Sequence, residues 1–387
     1  MNLSFFEIWL SLFSLWGCFS ILLVSRFIKN SQKTAQTALP LSLQSNLTLS
    51  IFKPTPPASS SDTLTAVLLP LESFLGQMTD RHELLLGILK CDLPVWQKQL
   101  IDWNQRFPLA VIKVVHESTA SDSPHYPNPK INWNHTLSKE ASGTLWLWSD
   151  LDITVPPRYL TNLLNEWSHS PSGYLTNAYL LPHGNQTWGI WDSLFVHFEF
   201  LPGVLLLDRL QRFHTAFGAG ILFSSQTLTQ ASQWDRIGNA LADDFQLAQL
   251  IGSGRLSTVL VECSSPVLTF REAICHYLRW HKTIRWCDPK GYAGLILILP
   301  LFAALLASLW NRDPLHLLGA VWLIEFLLGG IVLMTTLDSL SPRHLLPLIC
   351  WPWLRLFAWI YSWLPTSVTW AGTHWRAPDF EGNKKIS

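Results

Sequence analysis

The residues best suited to chemistry are acids placed where apolar runs end. Leu145 to Trp148 is a short apolar run followed at once by Ser149-Asp150-Leu151-Asp152. Two carboxylates spaced i, i+2 at a strand end can share a hard divalent ion, Mg2+ or Mn2+, with phosphate oxygens, and so neutralise a diphosphate leaving group. The same Asp-x-Asp pair also marks ordinary solvated turns. A second pair, Asp243-Asp244, opens the helical pattern Phe245 to Ile251. Capping accounts for one of these acids, because carboxylates favour a helix N-terminus. Asp244 is the candidate general base for an acceptor hydroxyl. Further on, Phe270 to Arg285 holds Arg279-Trp280, then His281, Lys282 and Arg285, an aromatic and basic surface that would equally suit a juxtamembrane anchor on anionic lipid.

Elements able to position these groups come earlier in the chain. Leu47 to Phe52, Leu64 to Leu69 (stopped by Pro70), Leu84 to Leu89 and Ala110 to Val115 read as strands, with a helical pattern at Val95 to Trp103. Alternating strands and helices predict an α/β fold with a parallel sheet, which binds ligands beyond the carboxyl ends of its strands. No GxxxxGK[ST] sequence occurs, which excludes a P-loop.

The rest of the composition belongs to a membrane. Of 387 residues, 48% are hydrophobic, 14% are charged and 21 are Trp, too apolar and aromatic for an ordinary soluble domain. Lys plus Arg equal Asp plus Glu at 27 each, so no cationic field exists to hold a nucleic acid. The six cysteines form no CxxC pair, which points to reduced thiols in place of a zinc site or disulfide scaffold. Phe5 to Val24 is long and apolar enough to span, and no basic residue precedes Arg26, unlike a cleaved signal peptide. Arg26, Lys29 and Lys33 follow it, so the positive-inside rule places residues 28 to 290 in the cytoplasm. Gly291 to Trp310 and Leu315 to Leu337 read as a membrane hairpin. Leu345 to Leu364, with Pro347, Pro352 and Arg355, reads as an interfacial, re-entrant or third helix. Glu325, mid-span, is left without a role. The boundaries are an anchor at 1–27, a linker at 28–46, a catalytic domain at 47–265, an amphipathic segment at 266–290, the membrane hairpin and last helix at 291–364, and a tail at 365–387.

In order and spacing these residues resemble the ceramide glucosyltransferase-like glycosyltransferases, within the inverting group that includes cellulose and hyaluronan synthases. The resemblance runs from about Leu47 to the tail. It rests on Asp92, Asp150 with Asp152, Asp244, Arg279-Trp280 of a Q-x-x-R-W motif, Asn128-Pro129-Lys130-Ile131-Asn132, and Val368-Thr369-Trp370. His276 replaces the motif's Gln, and Asp243 replaces the Glu of its third acidic triplet. It implies a nucleotide-diphospho-sugar transferase (Rossmann-like, GT-A) domain. It also implies that Asp92 contacts the nucleobase, Asp150 the donor sugar or uridine and the metal, Asp152 the metal, and Asp244 the acceptor hydroxyl as base. Lys130 and Arg279 would join the donor site, Arg279 at the diphosphate, and Trp280 would wall the acceptor.

The function so implied is transfer of a single hexose, glucose or N-acetylglucosamine, from a UDP-sugar to the hydroxyl of a membrane lipid such as ceramide, a hopanoid or a glycerolipid. The setting would be a bacterial inner membrane or a eukaryotic endomembrane. A processive polysaccharide synthase is the nearest alternative, and normally needs more spans than three or four; an inactive membrane adaptor is another. The acceptor pocket is expected within Gly173 to Leu207, near His183, Trp188, Trp191 and His197.

Overall fold

The computed structural model describes residues 5–37, 47–55, 61–116, 125–169, 173–182, 188–210, 213–264, 269–309, 314–337 and 341–376. His183 lies outside them. The strands are β1 (Leu49–Pro54), β2 (His82–Gly87), β3 (Val111–Val115), β4 (Leu145–Trp148), β5 (Ile153–Thr154), β6 (Tyr174–Thr176), β7 (Tyr179–Leu180), β8 (Ile221–Ser224), β9 (Gly254–Leu256), β10 (Val261–Cys263), β11 (Val368–Trp370) and β12 (Thr373–Trp375). The helices are α1 (Phe5–Gln36), α2 (Ser61–Leu75), α3 (Leu93–Arg106), α4 (Pro129–Ser138), α5 (Tyr159–His169), α6 (Gly189–Leu194), α7 (Leu201–Arg209), α8 (Ala231–Gly238), α9 (Asp243–Ile251), α10 (Phe270–Cys287), α11 (Pro289–Gly294), α12 (Pro300–Ser308), α13 (Pro314–Leu337) and α14 (Leu345–Ser362).

The chain forms two compact units. One comprises Phe27–Leu180 and Leu206–Ser264 and is built on a seven-stranded sheet of order β3-β2-β1-β4-β8-β6-β9. Strands β3, β2, β1 and β4 are parallel, as the alternating pattern requires. β8 then runs antiparallel to β4, with Ile221 opposite Trp148. This reversal sets the turn that precedes β8 beside the carboxyl end of β4. A small second sheet, β5-β10-β7, flanks it, pairing Cys263 with Ile153.

Leu64 to Leu69, expected as a strand, lies instead inside α2. Parallel strands need a crossover between β1 and β2, and Val67, Leu71, Phe74 and Leu75 supply one buried helical stripe for it. Residues 28–36, expected as linker, continue α1. There, Ser31 Oγ accepts from the Leu260 amide at 2.8 Å and Asn162 Nδ2 donates to the Thr34 carbonyl at 3.0 Å.

The other unit comprises Met1–Arg26, Leu181–Leu205 and Ser265–Ser387. Residues 181–205, expected within the catalytic domain 47–265, therefore group with the membrane-type helices. Four described helices are long and apolar enough to cross a membrane: Glu7–Gln36, Gly189–Arg209, Leu315–Thr336 and Pro342–Ser362. Gly189–Arg209 was not foreseen as one; it runs through α6, a π-helical turn at Phe195–Phe200 and α7. The first limb of the expected hairpin is broken, since Pro289–Ile298 and Pro300–Ser308 meet at 63°, where Pro300 cannot donate and holds Leu299 extended. α14, by contrast, is continuous through Pro352. Its Arg355 is compensated by Glu325 and Glu199, each 3.2 Å away.

Leu71 is fully buried whereas Leu69 is 70% exposed. Leu71→Ala is expected to cost about 2–5 kcal/mol and to lower the thermal midpoint of the detergent-solubilised protein. Leu69→Ala is expected to leave that midpoint unchanged; the reverse order would return this segment to a strand.

Candidate active site

The site is assembled at the carboxyl ends of β1 and β4. β4 stops at Trp148, and the Asp150 amide donates to the Gly218 carbonyl at 2.9 Å. Asn128 caps α4 by accepting from the Lys130 and Ile131 amides, which fixes Lys130 in the first turn. Lys130 Nζ lies 2.6 Å from Asp150 Oδ1 and 3.2 Å from Asp243 Oδ2. Asn128 Nδ2 donates to Asp243 Oδ1 at 3.3 Å. Burial alone would lower the Lys130 pKa, but Asp150, Asp243 and Asp244 together raise it, so the ammonium stays charged.

Asp244, beside this cluster, accepts from the Phe245 amide at 2.8 Å and the Gly218 amide at 3.2 Å. Burial and the Asp243 charge push its carboxyl well above the usual carboxylate range, and Lys130 opposes them. Gly218 thus binds Asp150 through its carbonyl and Asp244 through its amide. A β-carbon at Gly218 would overlap the Asp150 carboxylate and lie 2.9 Å from Lys130 Nζ.

Lys53, at the end of β1, was missed in the sequence. It is wholly buried and donates to Ser149 Oγ at 3.0 Å and to the Asp150 carbonyl at 2.7 Å. Desolvation lowers its pKa to about 7 against the raising effect of Asp150 and Asp152. The available signal was a lysine in an otherwise apolar strand, since buried lysines are almost always paired. Asp152 accepts from the Cys263 thiol at 3.4 Å, and burial followed by the Asp150 charge pushes its pKa up.

The remaining expected residues lie elsewhere. Asp92 is buried after β2, in a 3-10 turn, with the Cys91 thiol 3.6 Å from its Oδ1. Arg279 and Trp280 lie on α10, in the other unit. Trp188 and Trp191 line an apolar cleft of that unit, while His197 is buried and its Nε2 accepts from the Leu181 amide at 3.1 Å.

Among the described residues no group of three or more His, Cys, Asp or Glu could hold a metal ion. The donor set nonetheless suits a divalent ion that takes its other ligands from a diphosphate. Four carboxylates (Asp150, Asp152, Asp243, Asp244) face two ammonium groups (Lys53, Lys130), which leaves two negative charges when all are ionised. Mg2+-type ions commonly bind through one or two carboxylates plus substrate phosphates, the part Asp150 and Asp152 can supply.

The profile of glycosyl transferase family 21 matches residues 14–380. The chain belongs to that family. This family 21 enzyme is a glycosyltransferase. No curated protein matches it. Similar solved structures include a mannosyltransferase from Pyrobaculum calidifontis in complex with GDP-mannose and Mn2+, at 13% identity and TM-score 0.44, covering 90% of this chain and 97% of that one. Residues 1–349 of S. aureus TarS match at 14% identity and TM-score 0.36, over 82% and 88%. GalNAc-T7 with UDP, GalNAc and Mn2+ matches at 10% identity and TM-score 0.39, over 64% and 50%.

Gly218→Ala in the family 21 enzyme displaces the Asp150 carboxylate and Lys130 together. Steady-state kinetics are expected to show kcat/KM reduced about 10²-fold, as for a misplacement of about 1 Å, with thermal stability kept within about 2 kcal/mol. Wild-type kinetics in this variant would remove Gly218 from the site.

Proposed function

We propose that the protein is an integral membrane, inverting transferase that moves one hexose from a UDP-sugar to a membrane-lipid hydroxyl on the cytoplasmic side. The observation that carries this reading is the Gly218 peptide, which joins Asp150 to Asp244 in a family 21 chain. Asp244 takes the acceptor proton as the acceptor oxygen bonds to the anomeric carbon from the face opposite UDP. The bond to the diphosphate oxygen breaks and its electron pair leaves with UDP. The high carboxyl pKa of Asp244 suits a base working near neutrality.

Lys130 orients Asp150 toward the donor, and Lys53 fixes the backbone that carries the Asp-x-Asp pair. Asp150 and Asp152 would hold Mg2+ or Mn2+, which supplies charge neutralisation of the departing diphosphate. Asp92 keeps the nucleobase role, Arg279 the diphosphate role and Trp280 the acceptor role implied by the family motif. Span-length helices support membrane residence, and Arg26, Lys29 and Lys33 after the first support the cytoplasmic side.

The test is UDP release from a panel of UDP-sugars by the detergent-purified full chain, with and without mixed membrane lipids and with EDTA. Lipid-stimulated, EDTA-sensitive release from one donor is the expected result; no release from any donor by folded protein would sink the reading. Asp244→Asn is expected to cost about 10²–10⁴-fold in kcat.

The acidic limb of the kcat/KM profile should lie above the ordinary carboxylate value of 3.8. Asp243→Asn removes a negative neighbour and should move that limb to lower pH, while Lys130→Met removes a positive one and should move it higher. Shifts of the opposite sign would assign the limb to another group.

A further inference from the structure

Gly218 is held by residues that the mechanism above does not use. The stretch from His214 to Gly220 forms neither helix nor strand, although Phe217 and Ala219 within it are buried. Buried irregular backbone must find its partners outside itself. The Tyr174 hydroxyl donates to the Thr215 carbonyl at 3.0 Å, Ser149 Oγ to the Ala219 carbonyl at 2.9 Å and the Asn177 amide to the Gly220 carbonyl at 2.9 Å. The Gly220 amide closes a turn onto the Phe217 carbonyl at 3.1 Å.

Thr176 ends β6, opposite Ile221 of β8, and is 0% exposed. Its Oγ1 accepts from the Phe217 amide at 2.9 Å and donates to the Phe217 carbonyl at 3.4 Å. Val has the same branched shape and suits a strand equally well, whereas a buried hydroxyl is costly without partners. The hydroxyl here is used entirely on the residue before Gly218.

That placement matters because the Phe217 carbonyl and the Gly218 amide are two ends of one peptide plane. Thr176 and Gly220 fix the carbonyl, and so fix the direction of the amide, which donates to Asp244 Oδ2 at 3.2 Å. A rotated plane would turn this amide away from Asp244 and carry the Gly218 carbonyl off the Asp150 amide.

Resting on the roles given to Asp150 and Asp244 above, we infer that Thr176 is a positioning residue for the transfer reaction. Its hydroxyl sets the Phe217–Gly218 peptide, and through that peptide the base and the start of the Asp-x-Asp pair. Tyr174, two residues earlier on β6, holds the same stretch further from Gly218 and has no such role.

The experiment measures UDP release by the detergent-purified full chain, together with hydrogen exchange in the peptide covering Phe217 to Gly220. Thr176→Val is expected to lower kcat/KM about 10²-fold, as for a misplacement of about 1 Å, and Thr176→Ser to restore it. Exchange should quicken about tenfold in Thr176→Val, as for loss of one hydrogen bond. Thr176→Val combined with Gly218→Ala should be no slower than Gly218→Ala alone, since both act through one peptide. Tyr174→Phe should keep kcat/KM. Thr176→Cys, whose sulfur accepts weakly, should lose about tenfold and serves if the Val variant does not fold.

Multiplying losses in the double variant, equal losses in Tyr174→Phe, or unchanged exchange would overturn the inference. If Gly218→Ala is slow and Thr176→Val is not, the inference falls and the roles of Asp150 and Asp244 stand. If both variants keep wild-type kcat/KM while exchange quickens, those roles fall and the hold of Thr176 on the peptide stands.

Discussion

The active-site geometry depends on one buried ammonium group. Lys130 sits between Asp150 and Asp243 with Asp244 close by, and without it these acids would repel one another in a site partly closed to water. Its position is set by a chain of local choices. Asn128 caps α4, Pro129 starts the helix, and Lys130 follows in its first turn. Strand β8 returns antiparallel beside β4, so Gly218 arrives where only a residue without a side chain fits. Sheet topology and a helix cap therefore serve one charge arrangement.

The membrane helices obey a related constraint. Arg355 on α14 lies 3.2 Å from both Glu325 on α13 and Glu199 in the π-helical turn, and Tyr277 on α10 donates to Glu199 at 3.1 Å. Removing Arg355 would leave two buried carboxylates without their cation, which costs far more than the pairs themselves contribute. Such a network favours one packing of these helices over others, because apolar contacts between them discriminate poorly in lipid.

Much of this was legible in the sequence, for physical reasons. β4 is a continuous apolar run, and β1 and β2 carry the apolar stretches Ile51-Phe52 and Leu84 to Leu86, because these parallel strands are covered on both faces; α3 announces itself by its period. Leu64 to Leu69 misled because six such residues suit a strand or a helix equally; only the buried stripe continuing to Leu75 decides. Gly189–Arg209 was hidden by Asp192, His197 and Glu199, polar residues that look exposed until their partners, His276, the Leu181 amide and Tyr277, are known. Arg355 disguised α14 in the same way. Asp150, Lys130 and Asp244 could be picked from motif positions, whereas Lys53 acts through the adjacency of β1 and β4, a relation between segments far apart in sequence.

The two adjacent acids at the start of α9 show how environment divides one chemistry into two roles. Asp243 faces Asn128 and Lys130 and is 8% exposed, so its charge is spent holding α4 against α9. Asp244, one residue on, turns to the Gly218 and Phe245 amides and bears the repulsion of its neighbour. A longer Glu at 243, as in the family triplet, would carry its carboxylate one methylene further from the backbone, and Asn128 and Lys130 would meet it differently. The Asp at this position therefore belongs with the Asn-Pro-Lys segment as a single unit. Burial and the charge of Asp243 raise the carboxyl pKa of Asp244, and Lys130 of that unit opposes them.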